Sequence, residues 1–367
     1  MALPAHGFPS LRSYFLRGDF VIRTIKAIIL LIAVGSLSLT GTAHASGLCC
    51  QLSSGVQESL SGVAAPGTDE VSLQFNYSFT RMDTFKEGST SRSLADAKLY
   101  KKPDGTTYTS LPLSMDMIKY TLTAGYGFTP KFKAFVSLPY VRNTMDMTSS
   151  NGALLGWTDM TMPPLSGLGD AVVMGLYRVR TDREIRPSHA ITIGVGVKTP
   201  TGSSTERTAS GRLIHAHMQP GTGSWDPLFS IIDTKMMGSF LVQADATYQL
   251  ATRNKEGYKS GNSLAATFTG KYAVIKEFNM LAGLTWLHVN RASEKNGSYY
   301  DPVTNSSLMD DPANTGGDSL WATVGIQILP FRNGVIDLKA QLPAREKVNG
   351  IQLVSSYLVS LGVSYSF

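Results

Sequence analysis

The 367-residue sequence is poor in charge: Asp, Glu, Lys and Arg make up only 16% of it, against roughly a quarter in an ordinary soluble globular protein. It has two cysteines, Cys49 and Cys50, adjacent in the chain. Neighbouring cysteines bridge each other only with strain, so a disulfide framework is excluded. Ser46-Gly47-Leu48 puts no small residue directly before Cys49, which argues against a lipoprotein anchor. There is no run of 18 or more apolar residues, so no transmembrane helix is expected. Blocks of five or six basic residues are also missing, which removes the electrostatic case for nucleic acid. No G-x-S-x-G, P-loop or H-E-x-x-H motif occurs, and no enzyme is expected.

What the sequence has begins with a leader. Ala27 to Leu39 is an apolar run of signal-peptide length, preceded by Arg23 and Lys26 and followed by Ala43-His44-Ala45, an A-x-A cleavage site. The expectation is a signal peptide over 1–45, cleaved after Ala45. An uncleaved anchor helix is the alternative. Residues 1–20 look unlike leader sequence, and a start at Val21 instead of Met1 gives an ordinary signal peptide. The net charge is +6. Removing Arg12, Arg17, Arg23, Lys26 and Asp19 with the leader leaves 29 basic against 26 acidic residues.

From residue 70 onward the dominant period is two, the signal of strands with one apolar face. Val71, Leu73, Phe75, Tyr77 and Phe79 alternate with polar residues. Ile118 to Phe128, Phe132 to Tyr140 and Tyr357 to Phe367 repeat the pattern. About twelve strands emerge, the weaker ones near 168–180, 223–233 and 334–342. Short connections near 129–131, 182–188, 234–236, 275–277 and 331–333 alternate with long polar ones near 81–113, 148–166, 200–222, 252–262, 292–317 and 344–351. Short periplasmic turns and long outer loops are the rhythm of a transmembrane barrel. The expected fold is all-β: an antiparallel up-and-down β-barrel over 70–367 in the outer membrane, with both ends in the periplasm. Residues 46–69, small and Gly/Ser-rich, are expected to be a periplasmic tail or a plug. Phe367 ends the last strand and resembles the assembly signal read by the barrel-assembly machinery. A secreted β-sandwich shares the alternation but not the terminal Phe or the loop rhythm.

Methionine is the unusual residue. Met115-Asp116-Met117, Met145-Asp146-Met147 and Met160-Thr161-Met162 are three Met-x-Met units, and His215-Ala216-His217-Met218 joins imidazoles to a thioether. Arg81-Met82-Asp83 adds a further Met–Asp pair. The topology gathers all of them at the extracellular mouth. Parity puts Met117 on the inner face with Lys119 and Thr121, and Met145 and Met147 inward if no bulge intervenes at Pro139. Thioethers beside imidazoles suit a soft ion such as Cu(I); the bland reading is that methionine fills irregular gaps. Lys119, Lys133, Gln243 and Asp245 fall on the polar parity set and are expected to line the lumen. Trp286 and His288 share the lipid face near the outer rim, where an outer-membrane phospholipase carries its histidine, yet Asn290 stands where a serine is wanted.

Several segments together resemble a known family. They are Ser114-Met115-Asp116-Met117, Leu138-Pro139-Tyr140 before Met145-Asp146-Met147, Gly167-Leu168-Gly169-Asp170, and Gly194 through Lys198-Thr199-Pro200-Thr201-Gly202. Met218-Gln219-Pro220-Gly221-Thr222-Gly223-Ser224-Trp225-Asp226 and Gly257-Tyr258-Lys259-Ser260-Gly261 complete the set. They are similar to the MetA-pathway-of-phenol-degradation family of outer-membrane barrels, in particular its Met-rich, transporter-like subgroup. The resemblance implies a barrel and a transport role. The family name points to aromatic compounds and the subgroup to metal handling. Three readings follow. The first is a channel for small, hydrophobic or aromatic molecules with no resident cofactor. The second is a soft-metal-binding barrel in metal tolerance, using the nine Met and His residues above. The third is an outer-membrane enzyme or structural surface protein.

Overall fold

The computed structural model describes residues 68–367 apart from 152–155, 185–186 and 302–305. The expected signal peptide, most of the tail, and Cys49 and Cys50 lie outside the described residues. Twelve strands form one antiparallel meander. They are β1 (Val71–Glu87), β2 (Ser110–Gly127), β3 (Phe132–Ser150), β4, β5 (His189–Lys198) and β6 (Asp226–Met237). The second half is β7 (Phe240–Gln249), β8 (Ser263–Ile275), β9 (Phe278–Val289), β10 (Gly317–Phe331), β11 (Gly334–Val348) and β12 (Ile351–Ser366). Strand β4 comes in two pieces, Trp157–Leu168 and Val172–Thr181, both paired with β3. β12 pairs back onto β1 from Ser72↔Ser366 to Glu87↔Ile351, which closes the sheet.

Closure is what a lipid environment demands. Backbone N–H and C=O groups have no water to turn to in the hydrocarbon, and a cylinder leaves no open edge. Side chains sort as the pleat requires. Leu73, Phe75, Tyr120, Leu122, Leu138, Val195, Ile231, Phe268, Leu284, Val324, Leu338 and Leu361 are exposed on the outer wall. Gln74, Asn76, Ser78, Thr121, Thr123, Ser137, Thr247 and Ser360 are buried on the inner one. Aromatics mark the rims. Phe240 packs on Tyr272 and Tyr365 on Phe367 at the periplasmic end; Tyr77 packs on Tyr120, and Trp286 stacks on His288, toward the outside. Such paired girdles are the general mark of transmembrane barrels.

Two connections differ from the sequence expectation. The stretch near 148–166 is not a loop: Trp157–Leu168 extends β4 outward and pairs with β3. The stretch near 344–351 is a two-residue turn at Asn349-Gly350, where Gly350 takes φ +57°, because β11 and β12 run on past the membrane. Both segments lack a lipid-facing apolar row, so they carry no period-two signal although their hydrogen-bond ladders continue. The upper piece of β4 pairs with β3 alone among the described residues. Pro163 and Pro164 lie in it, and proline lacks the N–H that an open edge offers to stray strands. Pro139 causes no register shift; the nearest shift on that ladder lies between Asn143 and Met145.

The barrel makes a direct prediction. Val324, near the middle of β10 and facing lipid, costs about 2–4 kcal/mol when changed to Arg. Urea unfolding of the lipid-embedded protein reads this loss, and the unheated wild-type protein migrates faster on a gel than the heated one.

Candidate functional site

Four of the six family-like segments, those between Pro139 and Asp226, meet at one place on the outer half of the barrel. Lys198 ends β5 and Asp226 begins β6. The Lys198 ammonium lies 2.9 Å from Asp170 and 3.0 Å from Asp226, all three side chains being buried. Thr222 joins the same group through its hydroxyl, and its backbone N–H donates to Asp170 at 2.7 Å. Gly202 donates its N–H to the other Asp170 oxygen. The chain segments cross in contact here: a Cβ on Gly221 would lie 2.4 Å from the Gly202 backbone. Gly169 donates its N–H to the Pro139 carbonyl and sits at the break between the two pieces of β4. This polar knot pins the loop 199–225 to the wall. Its residues are bound to one another, which makes their role structural.

The pinned loop turns inward. A 3-10 turn, Ala216–Met218, packs against β3, and the Asn143 side-chain amide donates to the Met218 carbonyl at 3.0 Å. The loop 290–316 meets it. Asp310 binds His215 through Nδ1 and accepts from the Ala216 N–H. His217 Nε2 lies 2.8 Å from the Met309 carbonyl; a carbonyl only accepts, so that nitrogen carries the proton. Burial works against a charge on His215, but the Asp310 carboxylate and its hydrogen bond together outweigh it and hold the imidazole pKa above its ordinary value. Burial dominates at His217 and pulls it down, so that ring stays neutral. A third tie comes from the loop 88–109, whose Tyr108 hydroxyl donates to Asp311 at 2.6 Å. Three outer loops are thereby laced together over the mouth.

Beneath them lies an apolar cluster of Met82, Met115, Met117, Met145, Met147, Met218, Met309 and Val141, with Met162 packed against it. Wall methionines come from β1, β2 and β3; Met218 and Met309 descend from the loops. Met115, Met117, Met145, Met147 and Met218, singled out from sequence, are thus brought together. Met160 is not: its strand pairing puts it opposite Met147, yet it is 55% exposed. His215 and His217 sit above the cluster in the loop lacing. Lys119 is buried on the inner face, as is Asp245; its hydrogen-bond partner Gln243, on the same face, is half-buried. Lys133 shares the inner parity of β3 near its periplasmic end. On the lipid face, His288 is bound to Asp318 at 2.9 Å.

Met309, Asp310 and Asn143 were not singled out from sequence. Met309 lies in an outer loop with no period to place it. Asn143 does lie on the inward parity of β3, two residues before Met145, and that signal was legible.

The profile of the family described as "Putative MetA-pathway of phenol degradation" matches residues 138–307. Over those residues the chain is similar to that family. The match takes in every segment of the polar knot, from Pro139 to Asp226. No curated protein sequence matches. Among solved structures, an outer-membrane channel from Pseudomonas putida F1 superposes with a TM-score of 0.52 at 13% identity, covering 83% of this chain and 97% of that one. A FadL homologue from Pseudomonas aeruginosa is similar with a TM-score of 0.38 at 10% identity, covering 81% of this chain and 90% of that one. The first likeness shows the fold, the same kind of closed barrel.

The knot yields a prediction. Changing Lys198 to Met leaves two buried carboxylates facing each other without their cation, at a cost of about 3–5 kcal/mol. The temperature of the gel-mobility shift falls, and protease cuts appear within 199–225, while Lys198→Arg does less harm.

Proposed function

We propose that this protein is an outer-membrane channel for small hydrophobic molecules, monoaromatic compounds among them, gated by the loops laced across its mouth. One observation carries the reading. The loop segments at the mouth are tied to each other through a few hydrogen bonds, not by continuous sheet, and the surface beneath them is apolar and pliant. Methionine side chains are unbranched and polarisable, and they repack around guests of varied shape. A ring entering through such a lining finds apolar contact and sulfur–aromatic attraction. Below it the lumen turns polar, with Lys119, Thr121, Thr123, Gln243 and Asp245 on the inner wall. The similar barrel from Pseudomonas putida is an outer-membrane channel, and the family is described by phenol degradation; both support the reading.

Delivery fits the same account. Residues 1–45 act as a cleaved signal peptide and 46–69 remain as a periplasmic segment. Phe367 is 60% exposed at the periplasmic rim, its N–H bound to the Val71 carbonyl. That leaves the terminal ring presented outward where the assembly machinery meets it.

The test is conductance and uptake together. In planar bilayers the wild-type protein carries little steady current. Asp310→Ala, which removes the ties to His215 and Ala216, raises the open time several-fold. Liposomes containing the protein take up toluene faster than empty ones. The reading fails if neither protein passes current or toluene, even after residues 46–69 are deleted.

A further inference from the structure

The methionine cluster is ordered in a way that gap-filling does not require. Register makes Met82 on β1 the direct partner of Met115 on β2, Met115 that of Met145 on β3, and Met145 that of Met162 on β4. Four strands in succession thus carry methionine at one level of the barrel. Directly opposed residues have Cβ atoms roughly 4.5–5.5 Å apart, and each thioether arm is long enough to swing toward its neighbour. Met82, Met115 and Met145 are 1–2% exposed and share the inner face. The cluster itself is built of methionine and aliphatic side chains.

A second observation is independent of the sulfurs. Asn143 is 1% exposed and lies on the same face of β3 as Met145. Its amide nitrogen holds the Met218 carbonyl. Its Oδ1 is buried beside the cluster with no hydrogen-bond partner among the described residues. A buried amide oxygen without a donor is costly, and the negative end of its dipole suits a cation.

The charges narrow the class. Asp116 and Asp146, which alternate with its methionines, point to the other face, where they bind Arg81 and Ser114, and Asp310, next to Met309, is taken up by His215 and the Ala216 N–H. Hard divalent ions such as Ca²⁺ and Mg²⁺ require several charged oxygens. Neutral thioethers select soft ions, and a monovalent one needs no buried counter-charge of the size a divalent ion demands.

We propose that Met82, Met115 and Met145, covered from above by Met218 and flanked by the Asn143 amide oxygen, form a site for a soft monovalent cation, Cu(I) or Ag(I). The site goes beyond the channel reading and does not depend on what the lumen conducts. Three of its sulfurs, Met115, Met145 and Met218, belong to the family-like segments, while Met82 comes from β1 and Met218 lies in the pinned loop, so it exists only when the barrel is closed and the mouth is laced.

The test uses the full mature chain in detergent with Cys49→Ser and Cys50→Ser, so that thiols do not take the probe. Calorimetric titration with Ag(I) is expected to show one tight equivalent, with no binding of Ca²⁺ under the same conditions. Met115→Leu with Met145→Leu keeps side-chain volume and weakens Ag(I) binding at least tenfold while the heat-dependent gel shift persists. If that double variant does not fold, Met82→Leu alone carries the comparison. The methyl carbon spectrum of ¹³C-methionine protein gives a separate readout, in which a subset of methionine signals moves with the first equivalent of Ag(I). Failure of the parent protein to bind Ag(I), or equal binding by the folded variants, overturns the proposal. Toluene uptake is measured on the same preparations, so loss of the site and loss of the channel are told apart.

Discussion

Everything in this structure depends on the pairing of β12 with β1. Without that ladder, two edges of N–H and C=O groups would face hydrocarbon, each unpaired group costing several kcal/mol. With it, the backbone is satisfied around the whole circumference, and side chains are free to divide by parity into a lipid face and a lumen face. The terminal strand therefore cannot be shortened or reversed in register at small cost. A slip of one residue would turn Tyr357, Leu361, Val363 and Tyr365 inward and their polar neighbours outward. The same logic explains why charge is sparse. A barrel wall offers half of each strand to lipid, and the remaining charges crowd into loops, rims and the lumen.

Closure of the sheet does not close the pore, and the loops above it are organised by different chemistry. The polar knot of Lys198, Asp170, Asp226 and Thr222 fixes where the loop 199–225 leaves the wall. From that anchor the loop reaches inward and meets 290–316 through Asp310 and the Met309 carbonyl. Buried ion pairs are weak sources of net stability, but breaking one is expensive. They suit a hinge that must stay in register while the segment beyond it moves. The outer lacing is of the other kind, a few hydrogen bonds between loops, and such contacts open at far lower free energy than a sheet ladder.

The sequence shows the first problem and its solution more clearly than the second. Parity in Val71 to Phe79, Ile118 to Phe128 and Tyr357 to Phe367 marks the strands, their inner and outer faces, and the inward direction of Met117, Met145 and Met147, because lipid imposes a strict period of two. Above the membrane that demand ends. Trp157–Leu168 and the tops of β11 and β12 are strands held only by backbone pairing, and their side chains look like loop. The gathering of Met218 and Met309 onto the wall was legible only as a shared end of the barrel. Which loop tip enters depends on contacts such as Asn143 to Met218 and Asp310 to His215, between residues 75 and 95 positions apart, and no local pattern records those.

The use of methionine at the mouth follows from the two demands placed on that level of the barrel. Leucine or isoleucine would bury as much apolar surface, but branched side chains fix one shape and hold it. A gate has to pack when shut and yield when something passes, and an unbranched thioether does both because its rotamers lie close in energy. The sulfur then adds what no hydrocarbon can, a lone pair turned toward the interior. With three such sulfurs at one register, Met218 above them and a lone amide oxygen beside them, the same side chains that would make the proposed gate pliant also form the proposed soft donor set. Pliancy alone does not dictate that register.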